Sequence, residues 1–275
     1  MGYTWRTALL EAVMIAAAVI FLIPVYILGN LSIRGPAEGA RSALLPTQQP
    51  TWDNFATAWK AGTLDRAMVT TGTIVFVSVL LLVVLGSLAS YPLARMTSAM
   101  SRTLYMLFMV GLLLPYQMIF IPLYQSFSAL HLLGPRAPLA LIIFYAGHHL
   151  PFTIFLFTSF LRAIPRDYDD AASIDGASRL QTFVYVLFPL LTPIAGTVII
   201  LDTIAIWNDL MTPLLYLSGG RSLTLPVAIY SFVGEYAADW PTIFAGLVIS
   251  MIPVLAAYAF LQNRIMQGFA TGIKG

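Results

Sequence analysis

Cysteine is absent from the 275-residue sequence, and lysine occurs only at Lys60 and Lys274. Without cysteine the chain cannot form a disulfide, a thiolate metal site or a thiol nucleophile. Trp59 and Ile273 precede the two lysines, so the Gly-Lys-Ser/Thr core of a nucleotide-binding phosphate loop cannot occur. We therefore do not expect this polypeptide to bind ATP through such a loop.

Charged side chains are also scarce. Asp, Glu, Lys and Arg make up 9% of the sequence, against roughly 25% in a soluble domain. Hydrophobic residues make up 59%, and the mean hydropathy is +0.84. A soluble core could not bury so much apolar surface, so the composition predicts a polytopic membrane protein in contact with lipid. The net charge of +2 favours neither nucleic acid nor an acidic partner.

Signatures of catalysis and metal binding are missing as well. The sequence contains neither HExxH nor GxSxG. His148 and His149 are adjacent, and neighbouring residues on a helix point in different directions, so the pair is a poor metal site. The absence of these motifs disfavours a membrane enzyme, although an enzyme that uses a lone serine or aspartate would leave no such motif. We expect no metal and no cofactor on this chain.

Long apolar runs predict one all-α membrane domain, residues 1–275, with six transmembrane helices. The first run has spanning length and no small-x-small cleavage site, so we interpret it as an uncleaved span. Pro115 and Pro122 are expected to kink or break the third span. The predicted spans are about residues 9–31, 67–94, 104–123, 138–161, 193–215 and 241–261.

Six spans place both termini on one side of the membrane, and the distribution of Arg and Lys predicts which side. The side that carries the termini holds eight of these residues and the opposite side six. Four of those six lie in or beside the loop of residues 32–66, which is partly neutralised by acidic residues. We therefore predict cytoplasmic termini and an extracytoplasmic loop at residues 32–66. The eight are Arg6, Arg95, Arg102, Arg162, Arg166, Arg179, Arg264 and Lys274.

The most polar segment between two apolar runs is residues 164–193, which we call the acidic hairpin. It contains four of the chain's twelve acidic residues. One interpretation is an amphipathic helix that lies on the lipid headgroups. Anionic lipid repels an acidic helix, however, so docking into a groove of a cytoplasmic protein is the better interpretation.

Local signals predict two short helices in the acidic hairpin. We expect Asp167 to cap the first helix, with Asp170 in a position like that of a capping box. Gly176 is the expected left-handed stop. Ser178 is expected to cap the second helix and to form a capping box with Gln181. The hairpin is therefore predicted to be rigid.

A few polar residues fall within or beside the predicted spans. Asp202 lies well inside the fifth span, where an ionisable residue is by default functional. It could instead be a packing aspartate that is hydrogen-bonded to its neighbours, and both interpretations stay open. Trp207 and Asn208 form either an interfacial anchor or the rim of a solute pathway, and His149 either packs or faces that pathway. The candidate pathway residues are Asp202, Trp207, Asn208, His149 and Gln117.

The acidic hairpin resembles the EAA loop of ATP-binding-cassette importer permeases, whose pattern is E-A-A-x3-G-x9-I-x-L-P. Asp170, Ala171 and Ala172 match the first three positions, with aspartate in place of glutamate. Gly176 and Pro189 match at the same spacing, and valine and phenylalanine take the places of isoleucine and leucine.

Four other stretches resemble the carbohydrate-uptake branch, the smaller maltose-type permease subunit. They are LGSLASYPLAR at residues 85–95, LLPYQMIFIPLY at 113–124, WNDLMTPL at 207–214 and GFATGIKG at 268–275. The tail is one residue shorter than the usual ending. Asp202 is not a feature of the family pattern.

The resemblance implies the type I importer permease fold and a subunit of a sugar importer in a bacterial or archaeal inner membrane. A second, unlike permease completes the pathway, and an extracytoplasmic sugar-binding protein delivers the solute. Two cytoplasmic ATPase subunits bind ATP and Mg²⁺, and each receives one EAA helix in a cleft. The tail residues Gly272 and Lys274 would also contact an ATPase. The implied coupling residues are Asp170, Ala171, Ala172, Asp175, Gly176 and Ala177.

Two other functions remain as alternatives. Asp202 and the histidines within spans would suit a self-contained secondary transporter or channel for a small polar solute. Such proteins commonly contain inverted repeats, and none is visible in this sequence. A non-transporting membrane scaffold is the other alternative, and it would associate with neither an ATPase nor a binding protein.

Overall fold

The computed structural model describes residues 4–38, 42–217, 222–235 and 239–272. These residues are largely helical, and their only extended pairing is an isolated antiparallel bridge between Arg34 and Pro50. They form two compact units. The first contains residues 1–67 and 228–252, and the second contains residues 68–227 and 253–275. The prediction of a single domain stays a prediction.

The helices alternate between long apolar segments and short polar ones. Short 3₁₀ turns at Pro36–Glu38, Tyr116–Ile119 and Gly134–Arg136 and a π-helix at Thr182–Leu187 complete the series. The α-helices are α1 Trp5–Ser32, α2 Asp53–Ala61, α3 Leu64–Arg95, α4 Ala99–Leu113, α5 Phe120–Ala129, α6 Ala137–Ala163, α7 Asp167–Ile174, α8 Arg179–Gln181, α9 Phe188–Leu190, α10 Thr192–Trp207, α11 Met211–Tyr216, α12 Leu225–Glu235 and α13 Trp240–Gly272.

Four of the described helices are long and apolar enough to cross a membrane, and the number reaches six if each of two bent pairs is one span. The all-helical membrane fold predicted from the sequence is therefore confirmed. The two bent pairs are Ala99–Leu113 with Tyr116–Ala129, bent by 91°, and Arg179–Leu190 with Thr192–Trp207, bent by 74°. The predicted third span lies within the first pair. The predicted fifth span begins in the second helix of the other pair, whose first helix belongs to the acidic hairpin.

Pro115 causes the break in the third span. A proline disfavours helical backbone in the residue before it, and Leu114 is extended, with φ −79° and ψ 128°. Pro122 has no such effect, because it lies in the first turn of α5, where a missing N–H costs no intrahelical bond. Only one of the two prolines expected to disturb this span therefore breaks it.

The second unit is organised around α6, which packs against α3, α4, α10 and α11. Small residues allow α3 and α6 to approach closely. A Cβ at Gly86 would lie 2.4 Å from Cγ2 of Thr153, and the Ser90 hydroxyl donates to the carbonyl oxygens of Gly86 (2.6 Å) and Ile154 (3.2 Å). Spacing of small residues by four positions is a common means of packing helices in membranes.

In the first unit, hydrogen bonds hold the described residues of the polar loop between α1 and α2. The Asn30 amide donates to the carbonyl oxygens of Ala43 (2.9 Å) and Leu45 (2.8 Å). Glu38 is buried and accepts hydrogen bonds from the Thr47 hydroxyl and from the backbone N–H groups of residues 48 and 49. These bonds fix the segment predicted to be an extracytoplasmic loop.

Candidate functional site

The first helix of the acidic hairpin, α7, ends where the sequence predicts. Gly176 has φ +78°, a left-handed conformation that glycine adopts without a steric penalty. The N–H of Ala177 donates to Ala172 O (2.9 Å) and the N–H of Gly176 to Ser173 O (3.1 Å). These two bonds form a Schellman motif, which satisfies the last carbonyl groups of the helix.

The second helix of the hairpin also begins as predicted. The Ser178 hydroxyl accepts from the N–H of Gln181 (3.4 Å), and the Gln181 side chain accepts from the N–H of Ser178 (2.8 Å). The predicted capping box is therefore confirmed. The helix continues through the π-helix, against which α7 packs, and ends at Leu190. Because both turns are held by hydrogen bonds, the hairpin has a defined shape.

The predicted cap of α7 is wrong. Asp167 is the first helical residue, and Arg166 occupies the cap position without a side-chain cap bond. Arg166 has φ −71° and ψ −16°, whereas a side-chain cap requires an extended backbone at that position. Asp167 and Asp170 therefore form no capping box. Together with Asp169 they place three carboxylates in the first turn, where the helix dipole favours negative charge.

An ion pair that the sequence does not reveal fastens α7 to the end of α3. Asp169 Oδ2 lies 2.9 Å from a guanidinium nitrogen of Arg95, and Asp169 Oδ1 accepts from the Tyr91 hydroxyl (3.1 Å). Arg95 also donates to the carbonyl oxygens of Leu161 (2.9 Å) and Ile164 (3.0 Å) at the end of α6. One arginine thus joins α3, α6 and α7.

The predicted coupling residues divide into an outer and an inner group. Ala172 is buried against the rest of the chain and Ala177 is half-buried. Ile174 and Leu180 flank the outer group and are 86% and 63% exposed. The hairpin therefore presents an acidic surface bordered by apolar side chains. The outer, exposed group is Asp170, Ala171, Asp175 and Gly176.

A cavity of about 450 Å³ lies beside α6 and the end of α10. Most of its wall is aromatic or polar. Its volume is within the roughly 300–1,000 Å³ of small-molecule sites. The lining residues are Tyr116, Phe144, Tyr145, His148, His149, Ala205, Asn208, Asp209, Leu210 and Met211. We call it the α6 cavity.

Asp202 lies behind the α6 cavity and does not line it. It is 2% exposed, and its Oδ1 lies 2.9 Å from Nδ1 of His149. The Thr153 hydroxyl is 3.3 Å from Oδ2 and 3.1 Å from the carbonyl oxygen of His149. Asp202 therefore links α10 to α6, and His149 is the member of this group that reaches the cavity.

Ring contacts and a second carboxylate shape the rest of the α6 cavity. The ring centroid of His148 lies 4.7 Å from that of Tyr116 and 5.6 Å from that of Phe144. The Tyr145 hydroxyl donates to Asp209 Oδ2 (3.0 Å). The cavity therefore has an apolar aromatic wall and a polar edge.

The structure brings only part of the predicted pathway together. His149 and Asn208 line the α6 cavity. Trp207 instead lines a separate, largely apolar cavity of about 340 Å³ between α3, α10 and the second half of α13. Gln117 is exposed and is not among the described lining residues. Of the predicted tail contacts, Gly272 is the last residue of α13, and Lys274 lies outside the described residues.

Residues 82–270 match a family described as "binding-protein-dependent transport system inner membrane component". They include the acidic hairpin and the whole α6 cavity. The chain belongs to this family. It is therefore a membrane-embedded component of a transport system that has other subunits, as the resemblance of the acidic hairpin implied.

Two relatives of this family component are similar over nearly their full length. The melibiose/raffinose/stachyose import permease protein MelC of Bacillus subtilis is 31% identical over 275 residues, which cover 98% of this chain and 99% of MelC. The probable starch degradation products transport system permease protein AmyC of Thermoanaerobacterium thermosulfurigenes is 31% identical over 258 residues, 94% of this chain and 93% of AmyC. The resemblance to carbohydrate-uptake permeases is confirmed.

A solved structure gives the same result for the fold. A chain of a bacterial ABC transporter involved in the import of the acidic polysaccharide alginate matches with a TM-score of 0.78 and 21% sequence identity, covering 96% of this chain and 99% of that chain. The bent spans and the acidic hairpin of this permease component therefore belong to an importer permease fold.

Proposed function

We propose that this chain is one of two permease subunits of a sugar importer whose energy comes from ATP hydrolysed by partner subunits. One observation carries the proposal: the chain aligns over almost its whole length with permeases named for the import of sugars. MelC is named for melibiose, raffinose and stachyose, and other relatives are named for trehalose and diacetylchitobiose. The cargo is therefore a mono- or oligosaccharide.

The acidic hairpin is the coupling element in this proposal. Its exposed surface, with Asp170, Ala171 and Asp175, enters a cleft on an ATPase subunit. Because Asp169 is paired with Arg95, and Arg95 also binds the last carbonyl groups of α6, a displacement of α7 moves the ends of α3 and α6 with it. Closure of the ATPases would then turn the pathway from one side of the membrane to the other.

The remaining partners follow from this division of roles. A second, unlike permease completes the pathway, and an extracytoplasmic sugar-binding protein delivers the cargo. ATP and Mg²⁺ are bound by the two ATPase subunits. Both termini and the acidic hairpin face the cytoplasm, which agrees with the excess of Arg and Lys on that side.

Reconstitution tests the proposed function. Proteoliposomes that contain both permeases, the two ATPase subunits and the binding protein are assayed with radiolabelled melibiose, raffinose, trehalose and diacetylchitobiose. We expect ATP-dependent import of at least one sugar, and none when the ATPase subunits are omitted. Uptake by this chain alone, driven by an ion gradient, would contradict the proposal and favour a secondary transporter.

A further inference from the structure

We propose that the α6 cavity is a subsite for one ring of a neutral sugar, and that Asp202 is a positioning residue that fixes His149 within it. This inference rests on the proposed function, because a transported sugar is the ligand. The sugar would contact this chain in the α6 cavity, and the buried Asp202 would hold His149 in place without touching the sugar.

Asp202 fixes the position of the His149 ring. Oδ1 of Asp202 and Nδ1 of His149 are 2.9 Å apart, so the two groups share a hydrogen bond. No described residue bonds to Nε2, and His149 lines the cavity. A sugar hydroxyl both donates and accepts hydrogen bonds, so it can bond to Nε2 with or without a hydrogen on that nitrogen. The ring therefore offers the cavity a nitrogen for contact with a hydroxyl group.

The aromatic wall suits the apolar side of a sugar ring. A pyranose presents hydroxyl groups around its edge and C–H bonds on its faces. Aromatic faces are electron-rich, so they attract C–H groups while excluding water. Tyr116 and His148 are partly exposed and line the cavity beside the buried ring of Phe144. The His149 ring centroid lies 5.0 Å from that of His148, so a sugar ring packed against Tyr116 and His148 can bring an edge hydroxyl to His149.

Polar groups on the other side of the cavity are held in place by the chain itself. Asp209 accepts from the Tyr145 hydroxyl through Oδ2 and from the backbone N–H of Thr212 through Oδ1. The Asn208 amide donates to the carbonyl oxygen of Ile204 (2.8 Å). These groups are fixed before a ligand enters, which lowers the entropic cost of binding.

The charge of the cavity indicates a neutral cargo. Asp209 is the carboxylate in the wall, and none of the described lining residues is lysine or arginine. A uronic acid would bring its own carboxylate close to Asp209 without a lysine or arginine among these residues to compensate. The α6 cavity therefore fits a neutral sugar better than an acidic sugar such as alginate.

Two substitutions of one residue separate the contact with cargo from a purely structural role. His149→Asn places an amide nitrogen near the position of Nδ1, so it can keep the bond to Asp202 but leaves nothing at Nε2. His149→Gln places an amide group near the position of Nε2 and loses the bond to Asp202. The complete importer carries each variant in proteoliposomes, with import and ATP hydrolysis measured at saturating sugar-loaded binding protein.

We expect His149→Asn to lower import of the neutral sugar about five- to tenfold, the effect of one lost hydrogen bond, with ATP hydrolysis showing that the complex is assembled. His149→Gln should retain more import than His149→Asn. If wild-type importer moves a sugar and His149→Asn equals it, or if His149→Gln is the more damaged variant, the subsite is overturned while the proposed function stands. Import of an alginate oligosaccharide alone overturns the neutral-sugar assignment. Import of none of these saccharides overturns the proposed function itself.

Discussion

A single carboxylate, that of Asp169, fastens the acidic hairpin to the membrane helices. Asp167 and Asp170 lie in the same turn and share its favourable interaction with the helix dipole. Only Asp169 faces inwards, where it meets Arg95 and the Tyr91 hydroxyl. Chemically identical side chains therefore have different roles, because successive helical residues point in different directions.

Gly176 gives a prediction at the scale of one residue. Glycine is required at position 176 by the backbone conformation, φ +78°, and not by lack of space, since an added Cβ would meet no atom within 4 Å. We expect Gly176→Asn to keep coupled sugar import, because asparagine tolerates this conformation. Gly176→Val should lower sugar import per ATP at least several-fold, since a β-branched residue there costs about 1–2 kcal/mol or more.

The asparagine variant is the control, because it also adds a side chain at the turn but leaves the backbone conformation accessible. Equal impairment of both variants would show that space in the ATPase cleft, and not the left-handed turn, requires glycine at this position.

At the scale of elements, close packing of α3 on α6 gives a second prediction. Gly86→Val should destabilise the protein by about 1–3 kcal/mol through overpacking, because even its Cβ would lie 2.4 Å from Cγ2 of Thr153. Gly72→Val is the matched control on the same helix, where an added Cβ meets no atom within 4 Å. We expect thermal unfolding of the purified complex to show a lowered Tm for Gly86→Val only.

Elements were predictable where their signals are local. The turn at Gly176, the capping box of Ser178 and the break at Pro115 depend on residues within a few positions of one another, and all three occur. The prediction of Asp167 as the cap is wrong because α7 begins at Asp167 itself, one residue earlier than predicted. The fifth span is predicted as residues 193–215, but its helix α10 already ends at Trp207. The bend of 74° precedes α10 and lies outside the predicted span.

At the scale of the whole molecule, the site depends on which helices become neighbours. The Arg95–Asp169 and His149–Asp202 pairs join residues far apart in sequence, so no local pattern could predict them. The separation of Trp207 from Asp202, in contrast, could have been predicted from the sequence. Trp207 follows Asp202 by five residues, which is about 140° around a helix at about 100° per residue, so the two side chains could not share one face.

A third prediction, also at the scale of the whole molecule, concerns which subunits are required for sugar import. This chain without ATPase subunits should import no sugar, because nothing in its sequence supplies a nucleotide-binding phosphate loop. Addition of the ATPases, the second permease and the binding protein should restore import. The measurement is radiolabelled sugar trapped in proteoliposomes with and without internal ATP.

We propose that the acidic hairpin transmits ATPase motion to α3 and α6, so the decisive quantity is the number of sugar molecules imported per ATP hydrolysed. The importer carrying Asp169→Asn is compared with one carrying Asp167→Asn, which removes the same charge from an exposed site in the same turn. We expect a several-fold lower ratio for Asp169→Asn, with hydrolysis continuing, and a wild-type ratio for Asp167→Asn. A wild-type ratio for Asp169→Asn, in complexes that keep their ATPase subunits, would contradict this proposal.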